Sequence, residues 1–77
     1  MKIIHSIVET RKGDTVEFYR EQKSKYKGIV SLVTSEIVFG EVVEKLYDPT
    51  KGEWILALRN DKGTIHITEK EFIKALR

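Results

Sequence analysis

The chain has 77 residues, of which 40% are hydrophobic and 34% charged, and its formal net charge is +2. This composition favours one small globular domain, residues 1–77, over a disordered chain. The absence of cysteine excludes disulfides and a zinc site built on thiolates. No apolar run approaches the roughly 18 residues of a membrane span, and the N-terminal apolar stretch is too short for a secretory signal. We therefore expect a cytoplasmic protein with no membrane contact.

The charges are unevenly distributed along the chain. Residues 11–27 carry six basic and three acidic side chains, for a local charge of +3. Residues 28–56 carry two basic and five acidic side chains, for −3, and residues 57–77 return to +2 from five basic and three acidic. The net charge is far below that of dedicated nucleic-acid domains, so the first of these segments is the informative one.

The first half of the chain predicts three strands. The β-branched residues within 3–8 favour a strand before a turn at residues 11–14. In residues 15–19 apolar and polar side chains alternate, which is the period of a half-buried strand. A third apolar run covers residues 26–33. The charged residues 20–27 are expected to form a loop between the second and third strands.

A hairpin is predicted over residues 54–67, where leucines alternate along one strand before a turn at residues 60–63. The expected cross-strand pairs are Leu56 with Ile67, Ala57 with His66, and Leu58 with Ile65. A register shift of one residue would place leucines opposite His66, and the apolar side chains of the two strands would no longer pack against each other. The register of this hairpin is therefore well specified.

A short C-terminal helix is predicted after this hairpin. Thr68 and Glu71 have the spacing of a capping box. Acidic residues at the start of the segment and basic residues at its end would complement the helix dipole. Phe72, Ile73 and Leu76 would form the buried stripe of this helix.

Residues 36–47 are compatible with two structures. Their apolar side chains recur at helical spacing, with charged side chains on the opposite side. Many of these apolar residues are β-branched, however, and Gly40 would cost a helix interior about 1 kcal/mol. We favour a long strand bent at Gly40. A helix over residues 36–47 would instead give an α+β fold.

Short glycine-containing motifs recur through the chain. The first set is Gly13-Asp14-x-Val16 followed by Lys27-Gly28-x-Val30. The second set is Gly40-x-Val42-x-Glu44, residues 54–58, Asp61-x-Gly63-Thr64 and finally Phe72. Together they cover residues 10–77, and they resemble the SH3-like small barrels, the first set the KOW type and the second the Tudor type. The resemblance implies a mainly β fold, a small barrel of five to six strands closed by the short C-terminal helix.

The basic segment is the strongest candidate for a binding site. Lysine and arginine side chains neutralise phosphates, and tyrosine rings stack on bases. We therefore expect a non-enzymatic module that binds DNA or RNA, or acts as a regulator, through this segment. The candidate residues are Tyr19, Arg20, Lys23, Lys25, Tyr26 and Lys27. A merely solvated polar loop would have the same composition, so that interpretation stays open.

The alternative function is a protein-interaction module or a small inhibitor protein, acting through an exposed sheet edge or an aromatic turn. Tyr47 and Trp54 flank the turn at residues 48–52 and would form an exposed aromatic pair. A core position for Trp54, on the face of the strand that carries the leucines, is the competing interpretation. His5 and His66 belong to no spacing motif, so we expect no catalysis, no metal site and no cofactor.

Overall fold

The chain forms a mainly β structure, as the sequence predicts. A computed structural model of it describes the backbone of residues 1–26 and 29–77 and the side chains of residues 1–20 and 35–77. The strands are β1 (Ile3–Ile4), β2 (Thr15–Tyr26), β3 (Ile29–Asp48), β4 (Glu53–Asn60), β5 (Gly63–Ile67) and β6 (Phe72–Leu76). Within the described residues, no helix is long and apolar enough to cross a membrane.

The six strands form one antiparallel sheet with the order β1-β6-β2-β3-β4-β5. The sheet is open, with β1 and β5 at its edges, so the expectation of a closed barrel is wrong. It is nevertheless wrapped around a single core to which all six strands contribute. The buried core residues are Ile4, Ile7, Val16, Phe18, Val42, Leu56, Leu58, Ile67 and Ala75.

The C-terminal segment forms a strand, and the prediction of a helix there is wrong. Half of the capping box forms: Glu71 Oε2 accepts hydrogen bonds from the Thr68 N–H at 3.1 Å and the Thr68 hydroxyl at 2.6 Å, but the Glu71 N–H donates to the Thr68 carbonyl at 3.2 Å and not to the hydroxyl. They close a single turn only. The Tyr19 N–H on β2 then donates to the Glu71 carbonyl at 2.8 Å, and β6 pairs with β2 from that point onwards. The unpaired edge of β2 thus overrides the local helical signal.

Residues 20–26 of the charged segment do not form the predicted loop either, and residue 27 lies outside the described residues. β2 continues to Tyr26 and pairs with β3 as far as the Tyr26–Ile29 pair, with one register shift after Ser24. The β-branched run in β3 supplies the partner that makes this extension possible. Within the described residues, β6 covers β2 only from Thr15 to Phe18, and β4 covers β3 only from Glu41 onwards. Between these limits β2 and β3 pair with each other alone, and we call this two-stranded part the arm.

The long strand β3 confirms the favoured interpretation of residues 36–47. Gly40 is buried at the point where β3 crosses the core. A Cβ atom on Gly40 would lie 3.0 Å from Leu58 Cβ and 3.5 Å from Phe18 Cε1. A register shift between Val42 and Glu44 adds a second irregularity to the strand. Close packing against the neighbouring strands is therefore what requires the glycine.

Of two further predictions, the register of the β4–β5 hairpin is confirmed, whereas the N-terminal strand is shorter than expected. The β4–β5 hairpin has the predicted register, with Leu56 opposite Ile67 and Leu58 opposite Ile65. The expected strand over residues 3–8 is shortened to β1, because a 3₁₀ helix at Ile7–Glu9 follows it. Ser6 caps that helix by accepting a hydrogen bond from the Val8 N–H at 3.3 Å.

An ion pair between a buried carboxylate and an exposed arginine joins the turn before β2 to the residue after β6. The carboxylate of Asp14, which is 3% exposed, accepts hydrogen bonds from Arg77 Nε at 3.0 Å and Arg77 Nη2 at 2.9 Å. The Arg11 N–H donates to the same carboxylate at 2.8 Å. These bonds hold the pKa of Asp14 below its ordinary value, chiefly through the Arg77 side chain.

Candidate functional site

The two faces of β2 have different environments. Val16 and Phe18 are buried against the core, so the intervening side chains lie on the opposite, outer face of the sheet. Tyr19 belongs to this outer face, whereas Arg20 belongs to the inner one. The side chains of these two adjacent residues therefore alternate between the faces, although both residues border one groove at this end of the sheet.

Three large apolar side chains lie together on the outer face. Tyr19 on β2 is directly opposite Ile37 on β3, and Phe39 follows two residues further along β3. The exposed fractions of Tyr19, Ile37 and Phe39 are 48%, 54% and 53%. Diagonal neighbours in an antiparallel pair lie about 7–8 Å apart, so Tyr19 and Phe39 are close enough to act together. We call these three residues the outer strip.

The charges beside the outer strip are balanced. Glu17 is opposite Phe39 on β2, and its carboxylate lies 3.6 Å from the ammonium group of Lys74 on β6. On the other side, Glu41 of β3 is opposite Arg59 of β4. The strip is thus flanked by one cation on each side, each next to a carboxylate. Its surroundings carry no net charge from these four groups.

Arg20 lines a groove on the inner side of the sheet. The groove has a volume of about 590 Å³ and lies beyond the end of the core, where Phe18 and Ile67 form part of its floor. His66 and Lys70 line it as well. Two cations that are far apart in the sequence, Arg20 and Lys70, therefore border one concave surface.

The other residues of the predicted basic site lie further along the arm. The backbone of Lys23, Lys25 and Tyr26 belongs to β2. The side chains of these three residues, and Lys27 altogether, lie outside the described part of the structure. Of the predicted nucleic-acid site, only Tyr19 and Arg20 can therefore be assigned a surface.

The predicted aromatic pair is present at the opposite end of β3. Tyr47 and Trp54 are cross-strand partners, and their ring centroids are 4.9 Å apart with an interplanar angle of 59°. Tyr47 is 51% exposed, but Trp54 is half-buried and packs against the core. The core and surface interpretations of Trp54 are thus each partly right, and Tyr47 is the more accessible ring.

Ile37 and Phe39 were not identified from the sequence as surface residues. In the sequence they belong to an almost continuous apolar run, in which either face could have been the buried one. The signal that could have found them is Gly40, because a buried glycine fixes which face of β3 approaches its neighbours. Once Gly40 is on the inner face, Ile37 and Phe39 alternate onto the outer face.

The remaining candidates offer little chemistry. His5 and His66 are exposed, and His66 is opposite Ala57 as predicted. Within residues 1–20 and 35–77, no group of three or more histidine or acidic side chains could hold a metal ion. The protein-interaction hypothesis names an exposed sheet edge, and β1 and β5 are the two edge strands of the sheet.

Comparisons with known proteins do not assign the chain to a family. No protein-family model, no curated protein and no solved structure matched it.

Proposed function

We propose that this protein is a nucleic-acid-binding module that stacks bases on the outer strip. The observation that carries the proposal is the exposure of Tyr19 and Phe39 on adjacent strands of one sheet face. Aromatic side chains on a sheet surface are a common platform for single-stranded nucleic acids, because every base offers a flat face for stacking.

The diagonal spacing of Tyr19 and Phe39 suits two bases of a single strand that are splayed apart. Neighbouring stacked bases are about 3.4 Å apart, whereas the two residues are separated by about twice that distance, so each ring would take a base that is no longer stacked on the next. Ile37 lies beside both aromatic residues and offers an apolar contact to the sugar or base edge. A base on each ring would cover most of an apolar surface that now faces water.

Phosphate contacts in this proposal come from the flanks of the outer strip. Lys74 and Arg59 are cations on the same face; Lys74 is partly neutralised by Glu17, and Arg59 is opposite Glu41 on the neighbouring strand. Each neutralised phosphate of a single strand contributes about −0.7 to the slope of log affinity against log salt, so two contacts give about −1.4. The basic residues predicted from the sequence, Arg20, Lys23, Lys25 and Lys27, would add to this slope if they also bind the strand.

Fluorescence anisotropy with labelled oligothymidylate and oligouridylate of about 12 nucleotides would test the proposal. Replacing Tyr19 or Phe39 with alanine should each remove about 1–3 kcal/mol of stacking, which weakens binding roughly 5-fold to 150-fold. Tyr47→Ala is the matched control, because Tyr47 is an aromatic residue on the same strand as Phe39 and is equally exposed.

The Tyr47→Ala control distinguishes stacking on the outer strip from non-specific binding to any exposed aromatic side chain. If Tyr47→Ala weakens binding as much as Phe39→Ala, or if neither oligonucleotide binds at low salt, the proposal is wrong. Comparing the two probes also assigns the preferred nucleic acid, since only the uridylate strand carries 2′-hydroxyl groups. All variants change exposed side chains, so each should unfold at nearly the wild-type temperature.

A second candidate function is protein interaction through the aromatic turn. It is favoured by the half-exposed Tyr47 ring, which stands on Trp54 beside the partly exposed Leu46. A partner captured by the wild-type protein should then be lost with Tyr47→Ala and kept with Phe39→Ala. Tyr47 is the better residue to change, because Trp54 also packs against the core.

We also propose that the fold is an opened relative of the SH3-like small barrels and that the protein is located in the cytoplasm. The first is supported by an antiparallel sheet that surrounds one core. The second is supported by the absence of cysteine from the sequence.

A further inference from the structure

A second concentration of positive charge surrounds Lys45, far from the outer strip. A shallow groove of about 710 Å³ beside it is lined by Thr10, Arg11, Lys12, Val43, Glu44 and Lys45. A smaller groove of about 420 Å³ adjoins the first, and its charged lining residues are four basic and one acidic: Lys2, Arg11, Lys45, Arg77 and Glu9. Arg11 and Lys45 therefore border both grooves.

The ammonium group of Lys45 is fixed in position by uncharged partners. Nζ donates hydrogen bonds to the Val8 carbonyl at 2.6 Å and the Thr10 carbonyl at 2.9 Å. It also lies 5.3 Å from the centre of the Trp54 ring. An ammonium group has three N–H donors, and two are used by the carbonyls. The third remains for a ligand, and within residues 1–20 and 35–77 no carboxylate forms an ion pair with Lys45.

Arg11 and Lys12 extend this fixed charge across the groove. Both are exposed, and neither side chain has an ion-pair partner within residues 1–20 and 35–77. The nearby carboxylate of Asp14 is buried and saturated by Arg77 and by the Arg11 backbone. Glu44 is the single acidic residue that lines the larger groove. Three cations against one carboxylate leave a local charge of +2.

We propose that this groove is a binding site for a phosphate group. The fixed Lys45 ammonium would donate one hydrogen bond to a phosphate oxygen, and the mobile side chains of Arg11 and Lys12 would close over the other oxygens. A phosphate of a nucleic-acid backbone and a phosphate of a small metabolite offer the same chemistry. The site is independent of stacking on the outer strip and does not require it.

Titration of the ¹⁵N-labelled protein with inorganic phosphate, followed by amide chemical shifts, tests this site. Sodium chloride at matched ionic strength provides the reference, because general screening affects both solutions equally. Phosphate should shift the amides of residues 10–13 and 43–45 selectively. In the double variant Arg11→Gln with Lys12→Gln, binding should weaken about tenfold. Lys51→Gln, in the exposed turn that follows β3, should leave it unchanged, because Lys51 lines neither groove.

Equal shifts in phosphate and chloride would overturn the proposal, as would unchanged phosphate binding in the double variant. Because both substituted side chains are exposed and make no ion pair in the described structure, the variant should remain folded. Titration with oligouridylate separates the two sources of phosphate. Shifts at residues 10–13 with the oligonucleotide identify the nucleic-acid backbone, and shifts with free phosphate alone identify a small phosphorylated ligand.

Discussion

Replacing Asp14 by asparagine removes a charge from the Asp14–Arg77 ion pair without changing the size of the side chain. Oδ1 of Asp14 accepts one hydrogen bond from Arg77, and Oδ2 accepts one from Arg77 and one from the Arg11 backbone. Asparagine has a single acceptor oxygen, so in either orientation its amide nitrogen faces at least one N–H donor. One hydrogen bond is lost outright, and the other two become neutral on the acceptor side.

The size of the effect follows from this count. Hydrogen bonds to charged groups contribute about 1.5–3 kcal/mol each, and neutral acceptors contribute about half as much. The guanidinium is 27% exposed, so water screens part of the interaction. We expect Asp14→Asn to lower the free energy of unfolding by about 2 kcal/mol at neutral pH. For a domain of this size that corresponds to a fall in Tm of roughly 8–16 °C.

The pH dependence provides a second test of the same bond. Because the folded pKa of Asp14 lies below its unfolded value, the unfolded chain binds the proton more tightly. The stabilisation is therefore complete above the ordinary carboxyl range near pH ~4 and is lost as the pH falls through the lowered folded pKa. Wild-type and Asp14→Asn unfolding free energies should converge in that acidic range.

Urea unfolding followed by Trp54 fluorescence between neutral and acidic pH would measure both effects. Asp61→Asn is the control, since Asp61 is an exposed turn residue with the same side chain and no ion pair in the described structure. A loss below about 0.5 kcal/mol at neutral pH, as for an ordinary surface change, would refute the reasoning. So would a difference between wild type and Asp14→Asn that persists unchanged in acid.

Three further changes test other parts of the structure. Gly40→Ala should lower the free energy of unfolding, measured in urea, by about 1–3 kcal/mol, because the new Cβ would lie 3.0 Å from Leu58 Cβ. An unchanged free energy of unfolding would contradict the close packing. Glu17→Gln should tighten oligonucleotide binding about twofold to fivefold in anisotropy, since it frees Lys74, and unchanged affinity would argue against phosphate contacts there. Lys45→Met should lower the unfolding free energy by about 1–2 kcal/mol through the loss of two hydrogen bonds to the 3₁₀ helix region, and wild-type stability would show that these bonds contribute little.

The structure is predicted best from the sequence where the local residue pattern and the tertiary pairing favour the same conformation. In the β4–β5 hairpin, alternating leucines and a glycine turn specify the same register, and Leu56 does lie opposite Ile67. At Thr68 and Glu71 the two disagree. Glu71 accepts hydrogen bonds from Thr68, but the exposed edge of β2 pairs with the following residues, so the segment forms a turn and then a strand.

The candidate site was harder to predict than the fold. Tyr19 was found because it lies beside basic residues, but its partner Phe39 lies 20 residues away in a run where both faces are apolar. The Asp14–Arg77 pair joins residues 63 positions apart, and no local pattern connects them. Such pairs become visible only when the order of strands in the sheet is known.

The insertion of β6 between β1 and β2 has a consequence for how the protein folds. Strands β2 to β5 can pair one after another as successive hairpins, but β6 must pair with β2 after the chain has travelled almost its whole length. Closing a loop of this size costs entropy before the contacts form. We therefore expect the rate of folding to be set by the docking of β6, in the millisecond-to-second range typical of sheets rich in long-range contacts. During synthesis, the core cannot close until residues 72–76 have left the ribosome.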